Sequence, residues 1–342
     1  MSKKSKIILI NMFGGLGDAI TRLDLIYALK KDGYLIDGYF NQNSTLELCK
    51  SFELFENYIM TQKINFKIIG YNKYFTDFLY SKSFLFYALI SFKKIYLLHK
   101  ENEKPNKMKF FKNVKLLEVE YKKHMSWQNL KLFRSVNYEF FYPFKWFNYN
   151  KSFLYSNILS EKKYIVVQLS SGDLLVNYKN WDLLKWYKLL NKIKEKYSDF
   201  QFVLVGSKSE IETISNVFDQ SCKFLNLVGK TNIKDLVNLI YYSRFYIGLD
   251  SGLMHISYAL NIPTITLWGP TCKSSYGYSQ FNTDHIDISL NLHCSPCQSP
   301  TALNTIRFNT PIDCTSRECL RDLNEDIVFN KVDIFLKNKL NK

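Results

Sequence analysis

The second half of the chain alternates short apolar runs with segments of helical periodicity, and this alternation constrains the fold more than any other feature. The apolar runs, which predict strands, are Tyr164–Leu169, Phe200–Val205, Phe224–Val228, Phe245–Leu249 and Thr264–Trp268. The segments that predict helices are Trp181–Lys196, Ile233–Tyr242 capped by Asn232, and Ser251–Leu260. Regular alternation of strand and helix is typical of a doubly wound sheet of parallel strands. The sequence therefore predicts a Rossmann-like α/β domain in this half.

The start of the chain has the same strand–loop–helix–strand order. Lys6–Asn11 predicts a strand, the glycine-rich turn Gly14–Asp18 follows it, and Tyr34–Phe40 predicts the next strand. Gly33 stands where the helix between them would stop. This order is the basic unit of a parallel sheet, so a second Rossmann-like domain is predicted here.

We expect the two domains to occupy residues 1–155 and 156–342. Between them, residues 60–150 contain repeated short apolar runs such as Lys94–Leu98 and Val114–Val119, which indicate mixed α/β structure. No segment is long and apolar enough to span a membrane or to act as a secretory signal. We therefore expect a cytoplasmic protein.

The chain is strongly basic. Its 46 Lys and Arg against 31 Asp and Glu give a formal net charge of +15, and the excess lies mainly in residues 1–150. Such a charge indicates an anionic partner, either a nucleic acid, a phospholipid surface or a phosphorylated substrate. An AT-rich genome, which enriches Lys, Asn and Ile, explains the charge equally well. Because the basic residues are scattered and form no nucleic-acid-binding module, we expect no nucleic acid partner.

The glycine-rich turn after the first strand is similar to a dinucleotide-binding loop, and Asp37 lies where such loops place a ribose ligand. The pattern is incomplete, because no third glycine follows Gly15 and Gly17. The carboxylate of Asp18, at the start of the helix, would also repel a pyrophosphate. The turn, with Gly14, instead lets a ligand approach the backbone beside one carboxylate. That carboxylate would also favour the helix dipole without any ligand.

The segment from Asp250 to His255 predicts a phosphate-binding turn. It ends a strand and opens a helix, where the backbone N–H groups of Ser251, Gly252 and Leu253 would point at a bound anion. His255, one turn further on, would donate to a phosphate oxygen. The alternative is a capped helix with a core histidine. We favour the phosphate site, because the end of a strand, a helix cap, small residues and a histidine occur together in this segment.

Two further side chains follow strands of the same predicted sheet. Lys179 would reach the same phosphates as a point charge. Glu210, shortly after Gly206, would contact a nucleoside. Each residue taken alone is a weak indication, because surface lysines and glutamates are usually only solvated.

The segment 294–319 carries a cysteine cluster. Four thiolates at these spacings suit a tetrahedral zinc or iron site, with His293 able to replace one ligand. The alternative is a set of four reduced thiols in a partly buried loop. The cluster consists of Cys294, Cys297, Cys314 and Cys319.

The order and spacing of these pieces resemble the heptosyltransferase family, which is family 9 of the glycosyltransferases. The resemblance runs from residue 7 to residue 330 and is strongest over 200–271. Its segments are Gly15–Ile20, Lys179–Trp181, Val203–Glu210, Leu227–Thr231, Asp250–His255 and Leu267–Thr271.

The resemblance implies a GT-B fold, in which two Rossmann-like domains face each other across a cleft. The N-terminal domain would bind the acceptor, with Gly14, Gly15 and Gly17 in its loop and Asp18 as the general base. The C-terminal domain would bind a nucleotide-sugar, most often ADP-heptose, through residues that match the family's motifs: Lys179, Glu210, Asp250, Ser251, Gly252, Leu253 and His255. A cysteine cluster recurs in the family, and its protein-modifying members are associated with a structural iron.

The predicted activity is an inverting transfer of heptose to a lipopolysaccharide or lipooligosaccharide core at the inner face of the inner membrane, without a divalent metal in catalysis. An acidic polypeptide acceptor, as in autotransporter heptosyltransferases, fits the same charge. Two hypotheses from other classes are an NAD-dependent oxidoreductase that uses the first glycine loop and a nucleic-acid-binding protein. The incomplete glycine pattern and the missing nucleic-acid module count against them.

Overall fold

The computed structural model describes residues 7–60, 71–77, 93–99, 112–120, 123–131, 163–171, 178–218, 223–297 and 316–340. The chain divides into two compact units, Met1–Asn148 and Tyr149–Lys342. The domain boundary predicted between residues 155 and 156 lies outside the described residues. Each unit is built on a parallel sheet, so the α/β class with two Rossmann-like domains is confirmed.

The first unit has a six-stranded sheet in the order β3-β2-β1-β4-β5-β6. The strands are β1 (Ile7–Asn11), β2 (Leu35–Phe40), β3 (Asn57–Met60), β4 (Lys73–Asp77), β5 (Lys94–His99) and β6 (Val114–Glu118). All neighbours pair in parallel. The strand order reverses between β1 and β4, and ligands of open α/β sheets bind at the carboxyl ends of strands at such a switch point.

The described helices of the first unit form where apolar residues recur at helical spacing. They are α1 (Leu16–Thr21), α2 (Leu23–Lys31), α3 (Asn43–Ser51) and α4 (Met125–Lys131). In α2, Leu25, Ile26 and Leu29 are buried, and Gly33 ends the helix at φ +76° as predicted. The apolar runs at 94–98 and 114–119 form β5 and β6, while most of residues 60–150 lie outside the described ranges.

The second unit repeats the same topology, with the order β12-β11-β10-β7-β8-β9. Its strands are β7 (Tyr164–Gln168), β8 (Gln201–Val205), β9 (Phe224–Asn226), β10 (Phe245–Leu249), β11 (Thr264–Leu267) and β12 (His285–Ile288). The switch point lies between β7 and β10, which are buried along their whole length. Strands buried on both faces carry continuous apolar runs, and this explains why the sequence pattern located them closely.

Helices alternate with most of the strands of the second unit, and two more follow its last strand. They are α5 (Leu183–Lys196), α6 (Ile211–Phe218), α7 (Ile233–Tyr241), α8 (Gly252–Ala259), α9 (Lys273–Tyr276), α10 (Glu318–Arg321) and α11 (Glu325–Leu340). Asn232 caps α7 as predicted, since its side chain accepts from the N–H of Asp235 at 2.9 Å. The final helix, α11, packs against α5. Within the described ranges, no helix has the length and apolarity that crossing a membrane requires.

A buried histidine makes the stability of the second unit depend on pH. His285 begins β12 against the ring of Tyr258, and neither of its ring nitrogens forms a hydrogen bond with a described residue. Burial lowers the pKa of His285 from 6.5 to about 4. The unfolded chain therefore takes up this proton first as the pH falls, so the contribution to stability is complete above pH 6.5 and is lost towards pH 4.

We expect His285 to remove about 2 kcal/mol of the free energy of unfolding between pH 7 and pH 5. The His285→Leu variant should therefore lose less melting temperature over this interval than the original chain. His293→Gln is the matched control, because His293 is exposed. Equal losses in the original chain and in His285→Leu would show that His285 does not titrate with unfolding.

Candidate functional site

The predicted phosphate turn lies at the switch point of the second sheet. β7 ends at Gln168 and β10 ends at Leu249, so the residues that follow these two neighbouring strands meet at one edge. Ser251 is the N-cap residue of α8 in an extended conformation, and Gly252 is the first residue of the helix. The first N–H groups of α8 therefore open at the edge where ligands of such sheets bind.

Lys179 and Asp250 form an ion pair at this edge. Nζ of Lys179 donates to Oδ2 of Asp250 at 2.7 Å, and the side chains are 20% and 7% exposed. Burial raises the pKa of the Asp250 carboxyl, but the Lys179 ammonium, together with the Thr271 hydroxyl and His255, outweighs burial and leaves the pKa below its usual range. The structure thus joins two predicted site residues that are 71 positions apart.

A buried polar cluster lies behind the turn. Oε1 of Gln168 accepts a hydrogen bond from the Tyr246 hydroxyl at 2.6 Å and another from the Ser251 hydroxyl. A side chain at Gly248 would strike the Tyr246 hydroxyl, because a Cβ there would lie 2.5 Å from it. Gly248 therefore makes room for the phenol that holds Gln168. Sequence reasoning missed this cluster, although Gln168 is the polar end of an otherwise apolar strand.

His255 is buried, and its ring is held by tyrosines. Nδ1 lies 2.6 Å from the Tyr278 hydroxyl, and the rings of Tyr276 and Tyr278 meet the imidazole edge-on. Tyr278 in turn stacks on Tyr258 at 3.6 Å between ring centroids. His255 can therefore be both a core histidine and a phosphate ligand. Its buried ring is fixed through Nδ1, and Nε2 is the second ring nitrogen, which can act on a ligand.

Glu210 lies after β8, the neighbour of β7, at the end of the short 3-10 helix Lys208–Glu210. Its Oε2 accepts from the N–H and the hydroxyl of Ser207, at 2.5 and 2.7 Å. Its Oε1 is buried and makes no hydrogen bond with any described residue. Gly206 lies close beside it, since a Cβ there would lie 3.0 Å from Oε2. A buried carboxylate oxygen without a donor is costly unless a ligand supplies one.

The switch point of the first sheet carries the glycine loop. Asp18 is exposed on α1, and its Oδ2 accepts from the N–H of Gly15 at 2.9 Å. Gly14 has φ +110°, and a Cβ there would lie 2.4 Å from Oδ2 of Asp18. The Thr45 hydroxyl donates to the carbonyl of Gly14 and ties the loop to α3. The loop, which also contains Gly17, thus presents one exposed carboxylate at the carboxyl end of β1.

Asp37 does not serve as a ribose ligand. Its Oδ1 accepts from the backbone and side-chain amides of Asn57, and its Oδ2 accepts from the Tyr71 hydroxyl at 2.7 Å. Both carboxylate oxygens are therefore used inside the first unit. The dinucleotide hypothesis loses the residue on which it relied.

The described residues do not form the predicted metal site. Cys294 is exposed, Cys297 and Cys319 are partly buried, and Cys314 lies outside the described residues. No group of three or more histidine, cysteine, aspartate or glutamate side chains in the described ranges could hold a metal ion. Because Cys314 lies outside the described ranges, the four-cysteine site stays a prediction of the sequence.

Comparisons with known proteins identify the family and the fold of the chain. A family model described as glycosyltransferase family 9 (heptosyltransferase) matches residues 79–306. Lipooligosaccharide heptosyltransferase 2 of Campylobacter jejuni subsp. jejuni is 27% identical over 177 residues, which are 51% of this chain and 51% of that protein. The chain spans about half the length of the curated relatives that it matches first.

Solved structures show the same fold over most of the chain. The ADP-heptose lipopolysaccharide heptosyltransferase II of E. coli aligns with a TM-score of 0.74 and 17% identity over 97% of this chain and 99% of its own. The iron-containing dodecameric glycosyltransferase TibC of enterotoxigenic E. coli aligns with a TM-score of 0.64 and 14% identity over 98% of this chain and 77% of its own. The predicted GT-B class is thereby confirmed. Since the family model spans more than half of the sequence, the chain belongs to glycosyltransferase family 9, the heptosyltransferases.

Proposed function

We propose that this chain is an inverting glycosyltransferase that moves a heptose from ADP-heptose to a hydroxyl of a lipopolysaccharide or lipooligosaccharide core. The observation that carries the proposal is the edge of the second sheet, where the start of α8, the Lys179–Asp250 pair and His255 occur together. Helix N-termini and lysines are the groups that proteins use for phosphates. The E. coli relative of the same fold uses ADP-heptose according to its name, and this supports the choice of donor.

In this proposal the second unit holds the diphosphate of the donor. The N–H groups of Ser251, Gly252 and Leu253 face the phosphate oxygens, and Lys179 adds positive charge. His255 donates from Nε2, because Tyr278 holds Nδ1. As the bond to the sugar breaks, negative charge grows on the leaving diphosphate, and these fixed donors stabilise it.

The first unit supplies the base. Asp18 takes the proton from the acceptor hydroxyl while the hydroxyl oxygen attacks the anomeric carbon, and the diphosphate leaves from the opposite side. Attack opposite the leaving group inverts the configuration of the anomeric carbon. One oxygen of Asp18 is anchored to Gly15, so the carboxylate is held in place while it remains exposed to an acceptor.

Charge supports an anionic glycolipid as the acceptor. The net charge of +15, concentrated in residues 1–150, favours a phosphorylated core at an anionic membrane surface in the cytoplasm. An acidic polypeptide is the second candidate, because it fits the same charge. A transfer assay with ADP-heptose separates them. We expect the mass of a heptose-deficient core to increase by one heptose and the mass of an acidic peptide to stay unchanged. Release of ADP without either glycosylated product would contradict the proposal.

No step of this mechanism passes through a metal. TibC contains iron according to its name, but the described cysteines of this chain do not form a site for one. A structural zinc or iron at the four cysteines therefore remains a prediction of the sequence. Elemental analysis of the purified protein and of Cys294→Ser tests it.

Glu210 provides a sharp test of the nucleoside part of the site. We propose that its unpartnered Oε1 accepts a hydrogen bond from a ribose hydroxyl. In Glu210→Gln the remaining oxygen still accepts from Ser207, while an amide nitrogen replaces Oε1. We expect ADP to bind about 10- to 100-fold more weakly. The hydrogen bond from the ribose hydroxyl to a charged oxygen is lost, and the amide N–H of the new side chain points at the hydroxyl hydrogen.

The control ligand for this test is 2′,3′-dideoxy-ADP. The original chain should prefer ADP over the dideoxy compound, and Glu210→Gln should bind the two equally. Calorimetric titration measures both affinities. An undiminished preference for ADP in the variant would show that Glu210 does not contact the ribose.

A further inference from the structure

Gln168 has a donor group that the fold leaves unused. The side chain is only 5% exposed, at the carboxyl end of the central strand β7. Its two hydrogen bonds, from Tyr246 and Ser251, both end on Oε1. The Nε2 amino group makes no hydrogen bond within the part of the chain that the structure describes. The residue is thus nearly buried and held through Oε1, while Nε2 is not among the fully buried side-chain atoms and is available to a ligand.

The position of this donor indicates which ligand it meets. Nε2 is attached to the same carbon as Oε1, and Oε1 is in hydrogen-bond contact with the side chain of Ser251, the N-cap of α8. The Gln168 carboxamide therefore lies against the N-cap side chain of α8, at the sheet edge where this helix begins. An anion seated there would find the Gln168 amide next to the backbone donors.

The neighbouring groups make this donor more important. The Ser251 hydroxyl donates its hydrogen bond to Gln168, so only its lone pairs face an anion, which needs a donor. Asp250, 2.7 Å from the Lys179 ammonium, offsets part of its charge. Neutral donors at this edge therefore add to the attraction that Lys179 exerts on a diphosphate.

We infer that Gln168 is a ligand-binding residue whose Nε2 donates to a diphosphate oxygen of the nucleotide-sugar, while Tyr246 and Ser251 hold the carboxamide in the orientation that this requires. The inference rests on the proposed function, since it assumes that a nucleoside diphosphate binds at this turn. It assigns to the site a residue of β7, 84 positions before Gly252.

The test uses two substitutions of Gln168 in the full chain. In Gln168→Glu, a carboxylate oxygen still accepts from both hydroxyls, but oxygen replaces the amide nitrogen. Gln168→Met removes the donor without adding charge and nearly keeps the volume. We expect both variants to bind ADP and inorganic pyrophosphate about 10- to 100-fold more weakly at neutral pH and to bind adenosine unchanged.

Gln201→Glu is the matched control for charge. Gln201 begins β8, at the opposite end of the same sheet, and its amide bonds only to the carbonyl of Phe202. This variant should bind pyrophosphate and ADP like the original chain. Thermal unfolding of each variant shows that it is folded.

The outcomes separate the inference from the proposed function. If the original chain binds ADP, His255→Ala weakens that binding, and both Gln168 variants bind ADP and pyrophosphate like the original chain, then the inference alone is overturned. If the original chain binds no nucleoside diphosphate, the proposed function and the inference both fail. Weaker binding of adenosine in the Gln168 variants, equal to that of ADP, would mean a general disturbance of the site and would also overturn the inference.

Discussion

Asp18→Asn should lower the turnover of heptose transfer by about 10²- to 10⁴-fold, the range that a positioned general base contributes. The variant keeps an amide oxygen that can accept from the N–H of Gly15, as Oδ2 does at 2.9 Å in the original chain, so the loop should retain its shape. What is lost is the ability to take a proton. The affinity for ADP should not change, because the donor groups lie in the second unit. Steady-state kinetics and calorimetry measure the two quantities separately.

Glu47→Gln is the control for this experiment. Glu47 is an exposed carboxylate on α3 in the same unit, and its removal changes the net charge by the same amount. It should leave turnover nearly unchanged. A turnover for Asp18→Asn within a few-fold of that of the control would show that another group accepts the proton.

Lys179→Met should weaken ADP binding by at least about 10-fold and also destabilise the second unit. The diphosphate loses a cation, and the buried Asp250 carboxylate loses the ammonium that lies 2.7 Å away. Breaking a buried ion pair on one side typically costs about 3–5 kcal/mol; because the Lys179 side chain is 20% exposed, we expect a loss near the lower end of this range. Thermal unfolding and calorimetric titration measure the two effects.

The double variant with Asp250→Asn separates these two roles of Lys179. Replacing both partners removes the uncompensated buried charge, so stability should largely recover. Binding of ADP should stay weak, since the cation is still missing. If the double variant binds ADP like the original chain, Lys179 serves only to neutralise Asp250.

The sequence predicted the second sheet well because β7, β8 and β10 are buried on both faces and carry unbroken apolar runs. Local chemistry also located the helix ends, with Asn232 as a cap and Gly33 as a stop. Edge strand β12 and the final helix α11 were not predicted. β12 has only four residues, of which His285 and Asp287 are polar, and the apolar pattern of α11 is weak.

The sequence predicted individual residues of the candidate site from single motifs, but it did not predict the contacts between them. Lys179 and Asp250 were proposed separately, and their contact depends on β7 and β10 being neighbours, which no local pattern encodes. The same holds for Tyr278, which holds His255 across 23 positions, and for Gln168, which meets Ser251 across 83. Side chains that position a ligand-binding group through long-range contacts carry no motif of their own.

The most direct test of the account is calorimetric titration of the original chain and of His255→Ala with ADP-heptose, ADP, GDP and UDP. We expect the original chain to bind ADP and ADP-heptose selectively and His255→Ala to bind both about 10-fold or more weakly, since a donor to a charged oxygen is lost. Selective binding of GDP or UDP would contradict the choice of donor. Equal binding of ADP by His255→Ala would contradict the placement of the diphosphate at the start of α8.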